Sequence, residues 1–207
     1  MAMYIPQHFS QDDPAILLEV MQQYSFATLV SNCDGRPFAT HLPVSARMEA
    51  GAVRIGCHLA RANAHWKALE DDPKALVIFQ GPHTYISPTL YQSKDRVPTW
   101  NYIAVHATGR AAVSHAAEDK LAQLSALIAS HEPAYRAQFD AMRPDLRDGM
   151  VNAIVAIDIA VEKLEGKFKL GQHRLSDERP EMQMRHEEGG DNERAIAEWM
   201  KRLGYWQ

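Results

Sequence analysis

Residues 81–109 read GPHTYISPTLYQSKDRVPTWNYIAVHATG, with prolines, aromatics and histidines crowded between two apolar runs. Pro82, Pro88 and Pro98 each fix their own φ and push the preceding residue toward extended backbone, so the sequence predicts a stiff, shaped connection. Tyr85, Tyr91, Trp100 and Tyr102 supply flat apolar faces with polar tips, and His83, Ser87, Thr99 and Asn101 add hydrogen-bonding groups beside them. That mixture suits a planar, heteroatom-rich ligand. Composition alone favours the plainer alternative, a proline-braced aromatic minicore closing the end of a barrel. The flanking runs, 74–79 and 102–114, read as strands, with Gly109 marking a bulge or a close approach of backbones.

Before this stretch, Asp13-Pro14 reads as a helix cap followed by proline at the first helical position, and Leu17, Val20, Met21 and Tyr24 recur at helical spacing. Residues 25–32 form a strand, Cys33-Asp34-Gly35 is the turn, and 37–48 is its antiparallel partner. A third strand spans 53–59, and a short helix begins at Arg61. Backbone N–H groups at a helix start favour an anion, and Arg61, Asn63 and Lys67 add donors, as a phosphate monoester requires. Without further information an ordinary solvated helix is the simpler reading of those charges.

After the aromatic stretch, 117–130 reads as an ordinary amphipathic helix carrying Leu121, Leu124 and Ile128 on one face. Pro144 divides the following region into two short helices. Residues 152–161 are the clearest strand and are expected at the centre of a sheet, with a donor-rich exit through Lys167, Lys169, Gln172, His173 and Arg174. Residues 176–192 read as a polar linker, and Asp191 or Asn192 caps a last helix presenting Ile196, Trp199, Met200 and Leu203 and stopped by Gly204. The expected organisation is one domain over 1–175 with 176–207 as linker and a helix packed on it.

The words Met3-Tyr4-Ile5-Pro6 with Phe9, His58-Leu59-Ala60-Arg61-Ala62-Asn63 with Trp66, GPHTYISPTLY, VPTWNY, and Gly166-Lys167-Phe168-Lys169-Leu170 with Gln172 resemble the PaiB family of FMN-binding negative transcriptional regulators. The resemblance runs from about Met3 to Arg174; Ala64, Gly171 and His173 depart from the residues common in that family. It implies an α+β fold, a mostly antiparallel split β-barrel flanked by helices and related to pyridoxamine phosphate oxidases. It also implies a homodimer with FMN at the subunit interface, and it reverses the preference at Arg61 in favour of a phosphate site. The implied cofactor residues are Thr40, His58, Leu59, Arg61, Asn63 and Lys67, with either Trp100 and Asn101 or the segment from Lys169 to Gln172 contributed by the partner subunit. A regulator and a flavin-dependent oxidoreductase of unknown substrate both fit. For the second, His83, Tyr85 and Trp100 border a substrate space above the ring.

Bulk properties narrow the remaining classes. A net charge of −4 is a poor footprint for a dedicated DNA binder, and no helix pair with a basic second helix is evident, so any DNA binding is expected to rest on phosphate contacts. Two cysteines, Cys33 and Cys57, are too few for a disulfide framework and point to a reducing compartment, with the cytoplasm as default. No run approaches the ~18 apolar residues of a membrane span, and no signal-peptide pattern opens the chain. None of the ten histidines falls in a metal-binding spacing, so no metal is expected; P-loop, dinucleotide and serine-hydrolase motifs are absent too.

Overall fold

A computed structural model of the chain describes residues 3–91, 95–173 and 179–206. Its elements in chain order are β1 (Ser10–Gln11), α1 (Pro14–Gln23), β2 (Phe26–Cys33), β3 (Arg36–Pro43), β4 (Ser45–Glu49), β5 (Ala52–Ala60), α2 (His65–Asp71) and β6 (Lys74–Ile86). There follow β7 (Thr99–Ser114), α3 (Ala117–His131), α4 (Arg136–Asp140), α5 (Pro144–Asn152), β8 (Ile154–Lys169), α6 (Arg179–Glu187) and α7 (Asp191–Arg202). The strands form one sheet in the order β3-β2-β6-β7-β8-β5-β4, with β1 beside β8. The chain divides into two compact units, one built from 14–79 and 106–164 and the other from 1–13, 80–105 and 165–207. Strands β6, β7 and β8 are long enough to run through both.

In the first unit the hairpin β2–β3 closes as the Asp-Gly signal predicts. Asp34 and Gly35 both have positive φ, 52° and 76°, the geometry a tight hairpin turn needs. The expected partner strand over 37–48 is in fact two strands. Pro43 ends the pairing with β2, the Val44 N–H donates to the Ser25 carbonyl at 2.9 Å, and 45–49 pairs instead with β5. Periodicity carries straight through this corner because Thr40, Leu42, Val44 and Ala46 all keep their side chains on the covered face. The core beneath is aliphatic: Leu17, Val20, Met21, Leu29, Ile55, Leu69, Val77, Ile157 and Ile159 are almost wholly buried.

Strand β8 lies inside the sheet, as its apolar run predicts, and pairs with β5 from Arg54↔Ala160 to Ala60↔Ile154. Gly109 marks a close approach. A Cβ built there would lie 2.1 Å from the Ala160 carbonyl oxygen, so a side chain at 109 would have to force β7 and β8 apart.

The aromatic stretch is corrected in extent. Most of it is strand, since β6 continues to Ile86 and β7 starts at Thr99, which leaves 87–98 as the connection. The β2 ladder uses only Leu76, Val77 and Ile78 of β6, so Pro82, lacking an N–H, takes no place in it.

In the second unit, 179–187 forms helix α6 where the sequence reading expects a linker; residues 174–178, Arg174 among them, lie outside the described residues. Met182 and His186, one helical turn apart, are both buried, and the His186 ring stands edge-on to Trp206 at 5.5 Å. Two buried residues on nine were too sparse a pattern to stand out among the charges. Helix α7 buries Ile196, Ala197, Trp199 and Met200, and Gly204, at φ 71°, lets the Tyr205 N–H return to the Met200 carbonyl at 2.9 Å. Its capping position is Gly190, not Asp191 or Asn192.

Candidate functional site

The turn between β5 and α2 builds a polar hub in the first unit. The His65 ring, 1% exposed, has Nδ1 2.8 Å from the Thr40 hydroxyl and Nε2 2.9 Å from the Ser31 hydroxyl. The Asn63 amide donates to the same Thr40 oxygen at 3.2 Å, and its carbonyl oxygen accepts the His65 backbone N–H at 3.0 Å. Phe38 closes one side, edge-on to His65 at 4.9 Å. Thus Thr40 and Asn63 meet, and His65, one of the ten histidines without a metal-binding spacing, is the residue that ties them to β2. Both its nitrogens are occupied by hydroxyls.

The helix start is not where the charge pattern places it. α2 begins at His65, with Arg61 and Asn63 in the preceding turn, and Asn63 already satisfies the His65 N–H. An anion at this turn would meet side chains and not free helix N–H groups. Arg61 is held from both ends: its backbone N–H donates to the Ala153 carbonyl at 2.8 Å, and Nε donates to the Asn152 carbonyl at 2.7 Å. The Trp66 indole N–H donates to the Arg61 carbonyl at 2.9 Å, and Lys67 Nζ lies 5.4 Å from the Trp66 ring. These bonds anchor the guanidinium while its two terminal nitrogens keep no partner among the described residues.

Lys120, on α3, completes this positive group and was missed in the sequence. It is 2% exposed, yet among the described residues no carboxylate or other acceptor meets its ammonium. Burial, and second the neighbouring Arg61 charge, hold its pKa below the usual lysine range. A buried cation beside another cation, with no anion of the protein's own, is costly unless something else supplies the charge. The signal that could have found it is its place one turn before Leu124 on a helix face otherwise read as apolar.

The remaining implied residues divide. His58 is half-buried on β5, and burial lowers its pKa; Leu59 is 2% exposed, so only its backbone can face a ligand. In the second unit Trp100 is 50% exposed, whereas Asn101 is buried with its amide 4.0 Å from the Met182 sulfur. Lys169 donates to the Thr99 hydroxyl. Gln172 accepts from the Leu170 N–H at 2.8 Å and donates to the His8 and Phe168 carbonyls at 2.9 and 2.7 Å. Asn101 and Gln172 thus spend their amides on their own chain.

The buried histidines give the fold an acid sensitivity. His58, His65 and His186 all have pKa values lowered by burial from 6.5. The unfolded chain takes up protons that the folded chain resists, so stability is lost as pH falls below about 6.5. The urea midpoint is expected to drop between pH 7.5 and pH 5.5, and His65→Gln to flatten that drop; an unchanged slope would assign it elsewhere.

Among the described residues no group of three histidines, cysteines or carboxylates could hold a metal, and no helix is long and apolar enough to cross a membrane.

Comparison with known proteins bears on this geometry. Residues 3–163 match the family model described as "Putative FMN-binding domain". The chain is 35% identical over 175 residues to the protease synthase and sporulation protein PAI 2 of Bacillus subtilis (strain 168), covering 83% of each. It is 31% identical over 163 residues to an uncharacterized protein of Saccharomyces cerevisiae, covering 68% of this chain and 96% of that one. Among solved structures, the flavocytochrome Anf3 from Azotobacter vinelandii matches with a TM-score of 0.62 at 16% identity, over 80% of this chain and 72% of that one. The FAD and heme binding protein from Mycobacterium smegmatis matches with a TM-score of 0.62 at 18% identity, over 77% and 73%. At such identities the likeness is one of fold, a mostly antiparallel split barrel.

Proposed function

We propose, for a chain that belongs to the FMN-binding domain family of the PaiB type, that it binds FMN with the phosphate against Arg61, Lys67 and Lys120. The observation that carries this reading is the covered Lys120 side chain near Arg61, its ammonium meeting no carboxylate among the described residues, a donor set that a phosphate dianion neutralises. The hub of Thr40, Asn63 and His65 holds the turn that carries Arg61 in shape. The ring then lies beside the strands bearing Thr40, His58 and Leu59. The partner subunit of a homodimer supplies Trp100-Asn101 or the 169–172 segment, chiefly through the exposed Trp100, since Asn101, Lys169 and Gln172 already have partners. FMN brings the redox chemistry, and the protein orients and stacks the ring.

A PaiB-type regulatory role fits this reading, with flavin state altering dimer surfaces. At a net charge of −4, direct DNA binding would be weak and salt-sensitive. A second reading, a flavin-dependent oxidoreductase, draws on Tyr85 and Trp100, which are 51% and 50% exposed and flat enough to border a substrate. Purified protein should show flavin absorbance with FMN released on denaturation, and light scattering should give the mass of a dimer. A flavin-free monomer that binds no added FMN would overturn the proposal.

A further inference from the structure

The second unit contains a cleft of about 1070 Å³, the scale of a small-molecule site. One wall is aromatic. Tyr85 and Trp100 stand edge-to-face at 6.0 Å, and His83 lies 6.2 Å from Trp100, so three rings converge while the two larger ones keep half their surface open. The other wall comes from α6 and α7 and is acidic: Glu181, Glu188, Asp191 and Glu193 line it against a single cation, Arg185. Asp191 is neutralised by Arg194 at 2.5 Å. Glu193 has no lysine or arginine partner among the described residues: it accepts the Thr84 hydroxyl at 2.6 Å and backbone N–H groups at 190 and 193, and the Thr84 bond foremost holds its pKa below the usual glutamate value.

An independent observation points the same way. His186 lines the cleft, is 1% exposed, and its Nδ1 sits 2.7 Å from the Met182 carbonyl, so Nδ1 carries the proton and donates it there. Nε2 is then a lone-pair acceptor, buried and without a partner. The cleft therefore offers a carboxylate, an unsatisfied acceptor and electron-rich ring faces, and each of these asks for a positively charged donor.

We infer that this cleft binds an organic amine in its protonated form, the ammonium directed at Glu193 and His186 and the hydrocarbon part lying against Tyr85 and Trp100. An anion is repelled by the same wall, and a neutral isostere forfeits both the carboxylate and the cation–π attraction. Of the residues this inference uses, Trp100 also belongs to the proposed FMN site, whereas Glu193 and His186 do not, so the ammonium preference is tested apart from the flavin reading.

The probe is 2-phenylethylammonium, titrated calorimetrically into the full-length protein, as purified and again after saturation with FMN, with 2-phenylethanol and phenylacetate as comparisons. The ammonium should bind at least about tenfold more tightly than the alcohol, and phenylacetate should give no saturable heat; one charge-assisted hydrogen bond is worth at least that ratio. Glu193→Gln, which keeps the shape and the Thr84 contact, should remove the preference for ammonium over alcohol. Tyr85→Ala should weaken both ligands while leaving the preference. Equal binding of ammonium and alcohol, a preference for phenylacetate, or no binding at all to a wild-type protein that unfolds cooperatively would each overturn the inference. Because FMN saturation is measured separately, loss of flavin binding alone leaves this result readable.

Discussion

Arg61→Ala lowers the affinity for FMN by about ten- to a hundredfold, while Arg110→Ala leaves it unchanged. A charge-assisted hydrogen bond contributes roughly 1.5–3 kcal/mol, and about 1.4 kcal/mol is a factor of ten in affinity. Arg61 is the arginine to test because its geometry is already set: Nε is held by the Asn152 carbonyl and the backbone by Ala153, so little side-chain freedom remains to be lost when an anion arrives. Arg110 is exposed on β7 and controls for a simple loss of positive charge. Flavin fluorescence titration of wild type and both variants reads the effect. Equal affinity for wild type and Arg61→Ala would remove the phosphate from this turn.

Lys120→Met should move affinity and stability in opposite directions. The wild-type protein covers a lysine that meets no carboxylate among the described residues, and methionine fills similar space without charge. FMN affinity is expected to fall about tenfold, as for the loss of one charged contact, while the urea midpoint of the flavin-free protein holds or rises. The pH dependence separates this from a packing effect. The Lys120 pKa is lowered from 10.5 in the folded state, so the unfolded state holds more protons there and wild-type stability gains from this group as pH rises toward 10.5. Lys120→Met should lack that gain. A variant that loses stability and keeps its FMN affinity would make Lys120 a packing residue and nothing more.

The aromatic stretch shows both the reach and the limit of periodicity. Its prolines and rings mark 81–109 as shaped chain, yet β6 and β7 claim most of it, because Pro82 lies beyond the three β6 residues that pair with β2, and Pro88 and Pro98 lie in the connection. The word running from His58 to Trp66 marks a site whose internal wiring is invisible in one dimension. Asn63, two residues before His65, satisfies its backbone N–H, whereas the Thr40 and Ser31 hydroxyls reach the ring from 25 and 34 positions away. Lys120 lies 59 positions from Arg61, on a helix whose other face reads as ordinary amphipathic surface. In the second unit, the α6 positions that matter, Met182 and His186, are two residues in a charged segment.

What the sequence by itself determined is whatever rests on local chemistry. The hairpin at Asp34-Gly35, the close approach at Gly109 and the stop at Gly204 each follow from one or two residues whose backbone options are few, and the strand read over 152–161 follows from its apolar run. The family words carried the split-barrel fold. Only the tertiary structure decided which polar groups are already satisfied and which are left waiting. Asn101 and Gln172 turned out to be occupied, while Lys120, its side chain covered, meets no carboxylate among the described residues and His186 Nε2 is buried without a partner. Hydrogen bonding and desolvation act through space between residues far apart in the chain, and no spacing along it records them.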